Sequence, residues 1–152
     1  MTIRTLIVDD EDLARRGLRT LLRHADDVEI LAECRNGREA IAAIAHCEPD
    51  LVFLDIQMPG KTGFEVIAEI DEGKCPYVIF VTAFDKFALQ AFDVHALDYL
   101  LKPVNEERFH AALSRARTVL SSVRDESLVR GFFAGGSGFS PAPRWQCHCI
   151  CY

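Results

Sequence analysis

Strand-like and helix-like segments alternate strictly along this chain, and that alternation limits the folds available to it. Continuous apolar runs, typical of strands buried on both faces, fall at residues 3–8, 28–34, 51–54, 77–81 and 97–101. Segments with apolar residues at helical spacing follow them at 13–25, 39–46, 63–71, 84–94 and 105–123. Strands that alternate with helices pair in parallel, so the sequence predicts an α/β fold. We expect a doubly wound, five-stranded parallel sheet with helices on both faces.

Composition and charge narrow the classes of function. The chain has 152 residues, enough for one domain with a real core, and its formal net charge is −6. That charge argues against a strongly basic nucleic-acid surface on this chain. No apolar run approaches the roughly 20 residues that a membrane helix needs, and the N-terminus has no signal-peptide pattern. We therefore expect a cytoplasmic protein without a membrane partner.

Polar side chains follow the strand-like runs at the points where those runs end. They are Asp9, Asp10, Asp55, Thr82 and Lys102, and the small Ala83 follows Thr82. Ligands of open parallel sheets bind beyond the carboxyl ends of the strands, so we expect these residues to meet at one edge. Three carboxylates suit a hard cation such as Mg²⁺, with Mn²⁺ as a substitute. Asp55 is the candidate nucleophile, because an aspartate can form an acyl phosphate.

The other residues of this set fit phosphoryl chemistry. Lys102 and Thr82 would contact the oxygens of an entering phosphoryl group, and the small Ala83 leaves space for it. A lone aspartate at such a position is more often a helix cap or a solvated residue, and Asp10 also fits an N-cap. A nucleotide- or flavin-binding protein of the same topology is a rival, but it needs a Gly-rich turn after the first strand. This chain has Asp-Asp-Glu-Asp at residues 9–12, which would repel phosphate unless a metal intervened.

Four motifs on the expected elements together resemble the receiver domain of two-component response regulators, which has the CheY-like, flavodoxin-like fold. They are Asp9-Asp10, Asp55 followed by Met58-Pro59-Gly60, Thr82-Ala83, and Lys102-Pro103. The resemblance covers residues 1–123, which we take as the domain. It implies that a sensor histidine kinase phosphorylates Asp55 and that the protein is a switch rather than a turnover enzyme.

The same resemblance assigns roles to individual residues. It implies that Mg²⁺ is bound by Asp9, Asp10, Asp55 and the main-chain carbonyl of Gln57. Thr82 would be the switch hydroxyl, Lys102 the phosphate-binding ammonium, Tyr99 the switch aromatic and Lys102-Pro103 a cis peptide. A packed strand tyrosine is nearly as good an interpretation of Tyr99.

Residues 84–104 more narrowly resemble receivers of LytTR-type regulators, the LytR/AlgR group, whose partner domain binds DNA. The helical segment here is unusually apolar, which often marks a partner surface, although most of these residues also fit a core. We expect a homodimer through the fourth helix, fifth strand and fifth helix. Phe87 and Phe92 would contribute apolar area, and Lys86, Asp93 and Asp98 rim charges.

The pattern changes after residue 123. Residues 124–152 are expected to form a linker remnant and a flexible tail rich in Gly, Pro and Cys. That length is too short for a LytTR DNA-binding domain, so DNA would be bound only through a domain missing here. The run Cys147-His148-Cys149-Ile150-Cys151 has ligands that suit zinc or copper(I). An unstructured, oxidation-prone end is the favoured interpretation of that run.

Two other functions stay open from the sequence. A stand-alone receiver would signal by protein contact alone. A Mg²⁺-dependent phosphatase of similar topology also uses an aspartate nucleophile, but it carries a second aspartate two residues later as acid and base. This chain has Gln57 at that position, which counts against the phosphatase.

Overall fold

The computed structural model describes residues 2–133, except for the side chains of Glu72, Leu89, Phe92 and residues 127–133. The strands are β1 (Ile3–Val8), β2 (Val28–Cys34), β3 (Leu51–Leu54), β4 (Tyr77–Thr82) and β5 (Asp98–Leu101). The helices are α1 (Asp12–Leu22), α2 (Gly37–Cys47), α3 (Gly63–Ala68), α4 (Ala88–Asp93) and α5 (Glu106–Phe133). All strands pair in parallel, in the order β2-β1-β3-β4-β5. The predicted fold class is confirmed.

The sheet separates two apolar cores. Ile7 and Phe53 point to one face, where they pack with residues of α1 and α5. Leu6 and Val52 point to the other face, where they pack with residues of α2, α3 and α4. Because successive strand residues alternate between faces, burial on both sides requires the continuous apolar runs seen in the sequence.

Several helices begin or end at other residues than the sequence predicted. α2 starts at Gly37 rather than residue 39, because the Asn36 side chain accepts a hydrogen bond from the Glu39 N–H and caps the helix. α3 ends at Ala68, three residues before the predicted end at residue 71. The segment predicted as one helix over 84–94 is divided into a 3₁₀ turn, Asp85–Phe87, and the short α4.

The last helix is longer than predicted. α5 continues to Phe133 instead of ending near residue 123, so residues 124–133, predicted as linker, are helical. Arg117 forms two hydrogen bonds of 2.6 Å with Asp27, and Arg124 pairs with Asp50 at 3.1 Å. Asp27 and Asp50 precede β2 and β3, so these pairs hold α5 against the amino ends of the strands.

Two predictions fall partly or wholly beyond this range. The run Cys147, His148, Cys149 and Cys151 lies outside the described residues, as does the rest of the predicted flexible tail after residue 133. Within residues 2–133, no helix is both long enough and apolar enough to cross a bilayer.

Candidate functional site

Four acidic residues meet at the carboxyl edge of the sheet. Asp9 and Asp10 follow β1, Asp55 follows β3, and the Asp55 N–H donates to the Val8 carbonyl at 2.9 Å, which fixes the two strand ends side by side. Carboxylate oxygens of Asp9, Asp10, Glu11 and Asp55 lie within 4.8 Å of one another. Asp9 and Asp55 are buried, whereas Asp10 and Glu11 are exposed. The structure therefore brings the predicted acids together, and adds Glu11 to them.

Lys102 places one ammonium group among these acids. Its main-chain N–H donates to the Thr82 carbonyl at 2.9 Å, which holds the end of β5 against β4. Its Nζ lies 2.7 Å from Asp9 Oδ2, 3.0 Å from Glu11 Oε1 and 3.2 Å from Asp55 Oδ2. Burial opposes the charged amine, but the negative charges of the nearby Asp9, Glu11 and Asp55 carboxylates outweigh it and raise the pKa of Lys102. The peptide bond from Lys102 to Pro103 is cis.

One ammonium does not offset the charge of the buried acids. Burial, and then the negative charge of Asp9, raise the pKa of Asp55 to about 6, despite the Lys102 ammonium and a hydrogen bond from the Gln57 N–H. Burial likewise raises the pKa of Asp9. Asp9 Oδ2 is 2.7 Å from the Lys102 nitrogen. Within the part of the chain that the structure describes, however, this buried oxygen accepts no well-aligned hydrogen bond. A buried, under-bonded carboxylate oxygen beside other carboxylates fits a hard divalent cation.

Gln57 contributes its main chain to this edge. The Gln57 N–H donates to Asp55 Oδ1 at 3.2 Å, and its side chain is exposed. An amide at this position does not supply the second carboxylate that the phosphatase alternative requires. That the Gln57 carbonyl ligates a metal stays a prediction.

The amino end of α3 packs directly against the Asp55 backbone. The Gly63 N–H donates to the Ile56 carbonyl at 2.8 Å. A Cβ at Gly63 would lie 2.6 Å from the Asp55 carbonyl oxygen, so only glycine allows this approach. The Thr62 and Glu65 side chains each bond the other's main chain in a capping box, which starts the helix here.

A buried arginine, Arg15, binds the main chain at Asp9. Arg15 is 8% exposed, and its guanidinium donates to the Asp9 carbonyl at 2.8 Å and to Asp12 Oδ1 at 3.1 Å. These two hydrogen bonds hold the loop between β1 and α1 in place. Arg15 lies on the face of α1 that also carries the buried Leu18 and Leu22, three and seven residues later. Its main-chain acceptor leaves no pattern in the sequence, so the contact was not predicted.

Thr82 and Tyr99 both bind the main chain of one residue, Phe84. Thr82 is buried, and its Oγ1 accepts a hydrogen bond from the Phe84 N–H at 3.4 Å. The Tyr99 hydroxyl donates to the Phe84 carbonyl. Ala83, which lies between Thr82 and Phe84 in the chain, is exposed. The Lys86 ammonium lies 5.4 Å from the centroid of the Phe84 ring. The extended conformation of Phe84 that permits both bonds also delays the start of the helix.

Two of the residues predicted for a dimer surface, Phe87 and Asp98, have partners within the chain. The Asp98 side chain is 5% exposed and is paired with Arg108 and, at 3.4 Å, with Arg115. Burial favours the neutral acid, but hydrogen bonds from Arg108 outweigh it and lower the pKa of Asp98. Phe87 is half-buried against the core. Phe92 lies in α4, and its side chain is not among those described. Asp98 is thus no free rim charge here, since α5 already neutralises it.

The fold and the site are those of the signal-receiver class of domain: acids follow β1 and β3, a hydroxyl ends β4 and a lysine follows β5, all at one edge of a parallel sheet. The sequence model described as the response regulator receiver domain matches residues 5–114, and the chain belongs to that family.

Known relatives agree with this assignment. The transcriptional regulatory protein BtsR of Salmonella typhi is 50% identical over 127 residues, which cover 84% of this chain and 53% of the relative. BtsR of Escherichia coli K12 is 48% identical over the same length and coverage. The chain thus spans 53% of the length of these curated relatives.

Solved structures of receiver domains share the fold. The response regulatory domain of protein mrkE from Klebsiella pneumoniae has a TM-score of 0.72 and 30% identity, covering 79% of this chain and 99% of the other. The BeF3-activated DrrB receiver domain has a TM-score of 0.65 and 25% identity, covering 78% of this chain and 99% of the other.

Proposed function

We propose that this receiver domain accepts a phosphoryl group on Asp55 from a sensor histidine kinase, with Mg²⁺ bound beside it. The observation that carries the proposal is the position of Asp55, a buried carboxylate 3.2 Å from the Lys102 ammonium and grouped with Asp9 and Asp10. The similarity to a BeF3-activated receiver domain supports it, because beryllofluoride is a small anion that resembles a phosphoryl group.

The chemistry is a transfer between two oxygens when a small phosphodonor such as acetyl phosphate is used. A bond forms from an Asp55 carboxylate oxygen to phosphorus, and the donor's bridging P–O bond breaks, with its electron pair leaving on acetate. Lys102 stabilises the phosphoryl oxygens, and the Gln57 N–H holds the other Asp55 oxygen in place. Asp55 must be ionised to attack, so the ammonium and any bound cation that favour its charged form also favour the reaction.

Asp9, Asp10, Asp55 and the Gln57 carbonyl would hold the metal. When bound, Mg²⁺, or Mn²⁺ in its place, offsets charge on the phosphoryl oxygens. The under-bonded Asp9 Oδ2 supports this assignment, because Asp9 is fully buried beside the carboxylates of Asp10, Glu11 and Asp55.

The signal would leave the site through Phe84. If Thr82 turns to a phosphoryl oxygen, it releases the Phe84 N–H, and the Phe84 carbonyl is the group that holds the Tyr99 hydroxyl. Such a change would alter the surface formed by α4, β5 and α5, where Phe84 is 42% and Leu101 47% exposed. We infer that phosphorylation favours a homodimer through this surface, with Phe87 and Phe92 contributing to it.

The output would be transcriptional. The matched relatives are named as transcriptional regulatory proteins and are about twice as long as the aligned region. We infer a LytTR-type DNA-binding domain outside this sequence, as residues 84–104 suggest. The stand-alone alternative predicts full signalling by protein contact, and a DNA-mobility assay on the full-length gene product separates the two.

Intact mass after incubation with acetyl phosphate tests the central proposal. We expect one phosphate adduct that requires Mg²⁺ and is absent from Asp55→Asn. Asp26→Asn is the matched control, because Asp26 is exposed and distant in the fold from the carboxyl edge, and it should be modified like the wild type. An adduct that persists in Asp55→Asn would refute the assignment. Release of phosphate over many turnovers would favour the alternative of a Mg²⁺-dependent phosphatase.

Light scattering of the beryllofluoride-treated protein tests the dimer. A shift to twice the monomer mass is expected. A monomer at high protein concentration, with the anion bound, would refute dimerisation through this surface.

A further inference from the structure

Lys102 contacts three carboxylates at once, and one of them has no part in the chemistry assigned above. Asp9 and Asp55 lie beneath the ammonium with side chains that are 1% and 5% exposed. Glu11 approaches it from outside at 3.0 Å, with a side chain that is 63% exposed. The sequence separation of Glu11 and Lys102 is 91 residues, so this pair exists only in the folded domain.

The fold does not require the Glu11 side chain. Glu11 is the N-cap residue of α1, but its side chain makes no capping hydrogen bond. Its N–H donates to Asp9 Oδ1 at 2.9 Å, which any residue except proline would do. Among residues 2–133, the Glu11 carboxylate pairs with Lys102 alone. The ammonium therefore explains where this side chain lies.

A phosphoryl group on Asp55 has to share the same ammonium. A lysine has three N–H donors, and three carboxylates already surround this one. New phosphoryl oxygens at Asp55 would therefore compete with these carboxylates for the ammonium. Asp9 and Asp55 are fixed at the ends of adjacent strands, whereas Glu11 can return to water at little cost.

We infer that Glu11 is a displaceable counter-anion of Lys102, which slows phosphorylation of Asp55 and weakens binding of phosphoryl-like anions. The inference rests on the proposed function. In the unphosphorylated state Glu11 neutralises the charge that attracts a phosphodonor. In the phosphorylated state it is a negative group close to other negative groups, so its presence favours the unphosphorylated state.

The test compares Glu11→Gln with the wild type at saturating Mg²⁺. Intact mass gives the rate of phosphorylation by acetyl phosphate, and fluorine NMR gives the affinity for beryllofluoride. We expect Glu11→Gln to be phosphorylated faster and to bind beryllofluoride more tightly, each by roughly two- to fivefold, the range that an exposed ion pair can supply.

Glu106→Gln is the matched control. It removes the same charge, but Glu106 faces His110 at 3.6 Å on α5, and we expect wild-type rates. Equal or slower phosphorylation of Glu11→Gln would overturn the inference. Equal acceleration by Glu106→Gln would also overturn it, because net charge would then be the cause. Absence of any adduct on the wild type overturns the proposed function itself, and is recognised before the variants are compared.

Discussion

Substituting Gly63 by alanine tests whether the amino end of α3 fixes the position of Asp55. The added Cβ would lie 2.6 Å from the Asp55 carbonyl oxygen and 3.1 Å from the Ile56 Cα. Both neighbours are backbone atoms, so no side chain can rotate away. Ordinary contact begins at 3.4 Å, so the two chain segments must separate by about 0.8 Å.

That separation has two expected consequences. Overpacking of this kind lowers the free energy of unfolding by about 1–3 kcal/mol. A displacement of this size at the acceptor also lowers the phosphorylation rate by about tenfold or more, since a misplacement of about 1 Å can cost a hundredfold. Urea unfolding measures the first effect, and intact mass after acetyl phosphate treatment the second.

Gly17→Ala is the matched control for this prediction. Gly17 is exposed in the middle of α1, and a Cβ there meets nothing within 4 Å. Alanine should therefore raise the free energy of unfolding by about 0.5–1 kcal/mol and leave phosphorylation unchanged. Wild-type stability and rate in Gly63→Ala would refute the reasoning, because the close approach to Asp55 would then be dispensable.

Three further predictions concern charge. The pKa of Asp55 is raised to about 6 from an ordinary 3.8, so the folded state binds the proton more tightly than the unfolded state does. The free energy of unfolding of the metal-free protein should therefore fall as pH rises from about 4 to about 6. Urea titrations at several pH values should show a smaller fall for Asp55→Asn. Mg²⁺ should raise the melting temperature of the wild type at neutral pH but not that of Asp9→Asn, and an equal rise in both would exclude Asp9 as a ligand. Arg117→Gln should lower the free energy of unfolding by up to about 1 kcal/mol, because its pair with Asp27 is partly exposed; no change would show that the pair is not stabilising.

The strands and the acidic edge could be read from the sequence because each leaves a local signal. Burial on both faces demands continuous apolar runs, so β1, β2 and β3 were placed at their observed bounds. Parallel strands deliver their carboxyl ends to one edge, so the meeting of Asp9, Asp55 and Lys102 followed from topology.

The features that were missed depend on contacts between distant parts of the chain. The helical segment starts at Asp85 and not at Phe84, because Phe84 is extended and its main chain is bound by Thr82 and Tyr99, which an apolar helical pattern does not show. The burial of Arg15 depends on a main-chain carbonyl, and main-chain acceptors have no sequence signature. The pairing of Glu11 with Lys102 likewise requires the folded sheet.

The length of α5 has a consequence for anything joined to this domain. The helix begins four residues after Lys102, is held by Arg117 and Arg124 at the opposite end of the sheet, and continues to Phe133. A continuous α-helix fixes angle as well as distance, because each residue turns the chain by roughly 100° and advances it by about 1.5 Å. One residue added or deleted between Arg124 and Phe133 would therefore re-aim a following domain by more than a quarter of a turn. The spacing of this segment would thus set the direction in which any domain joined after it points.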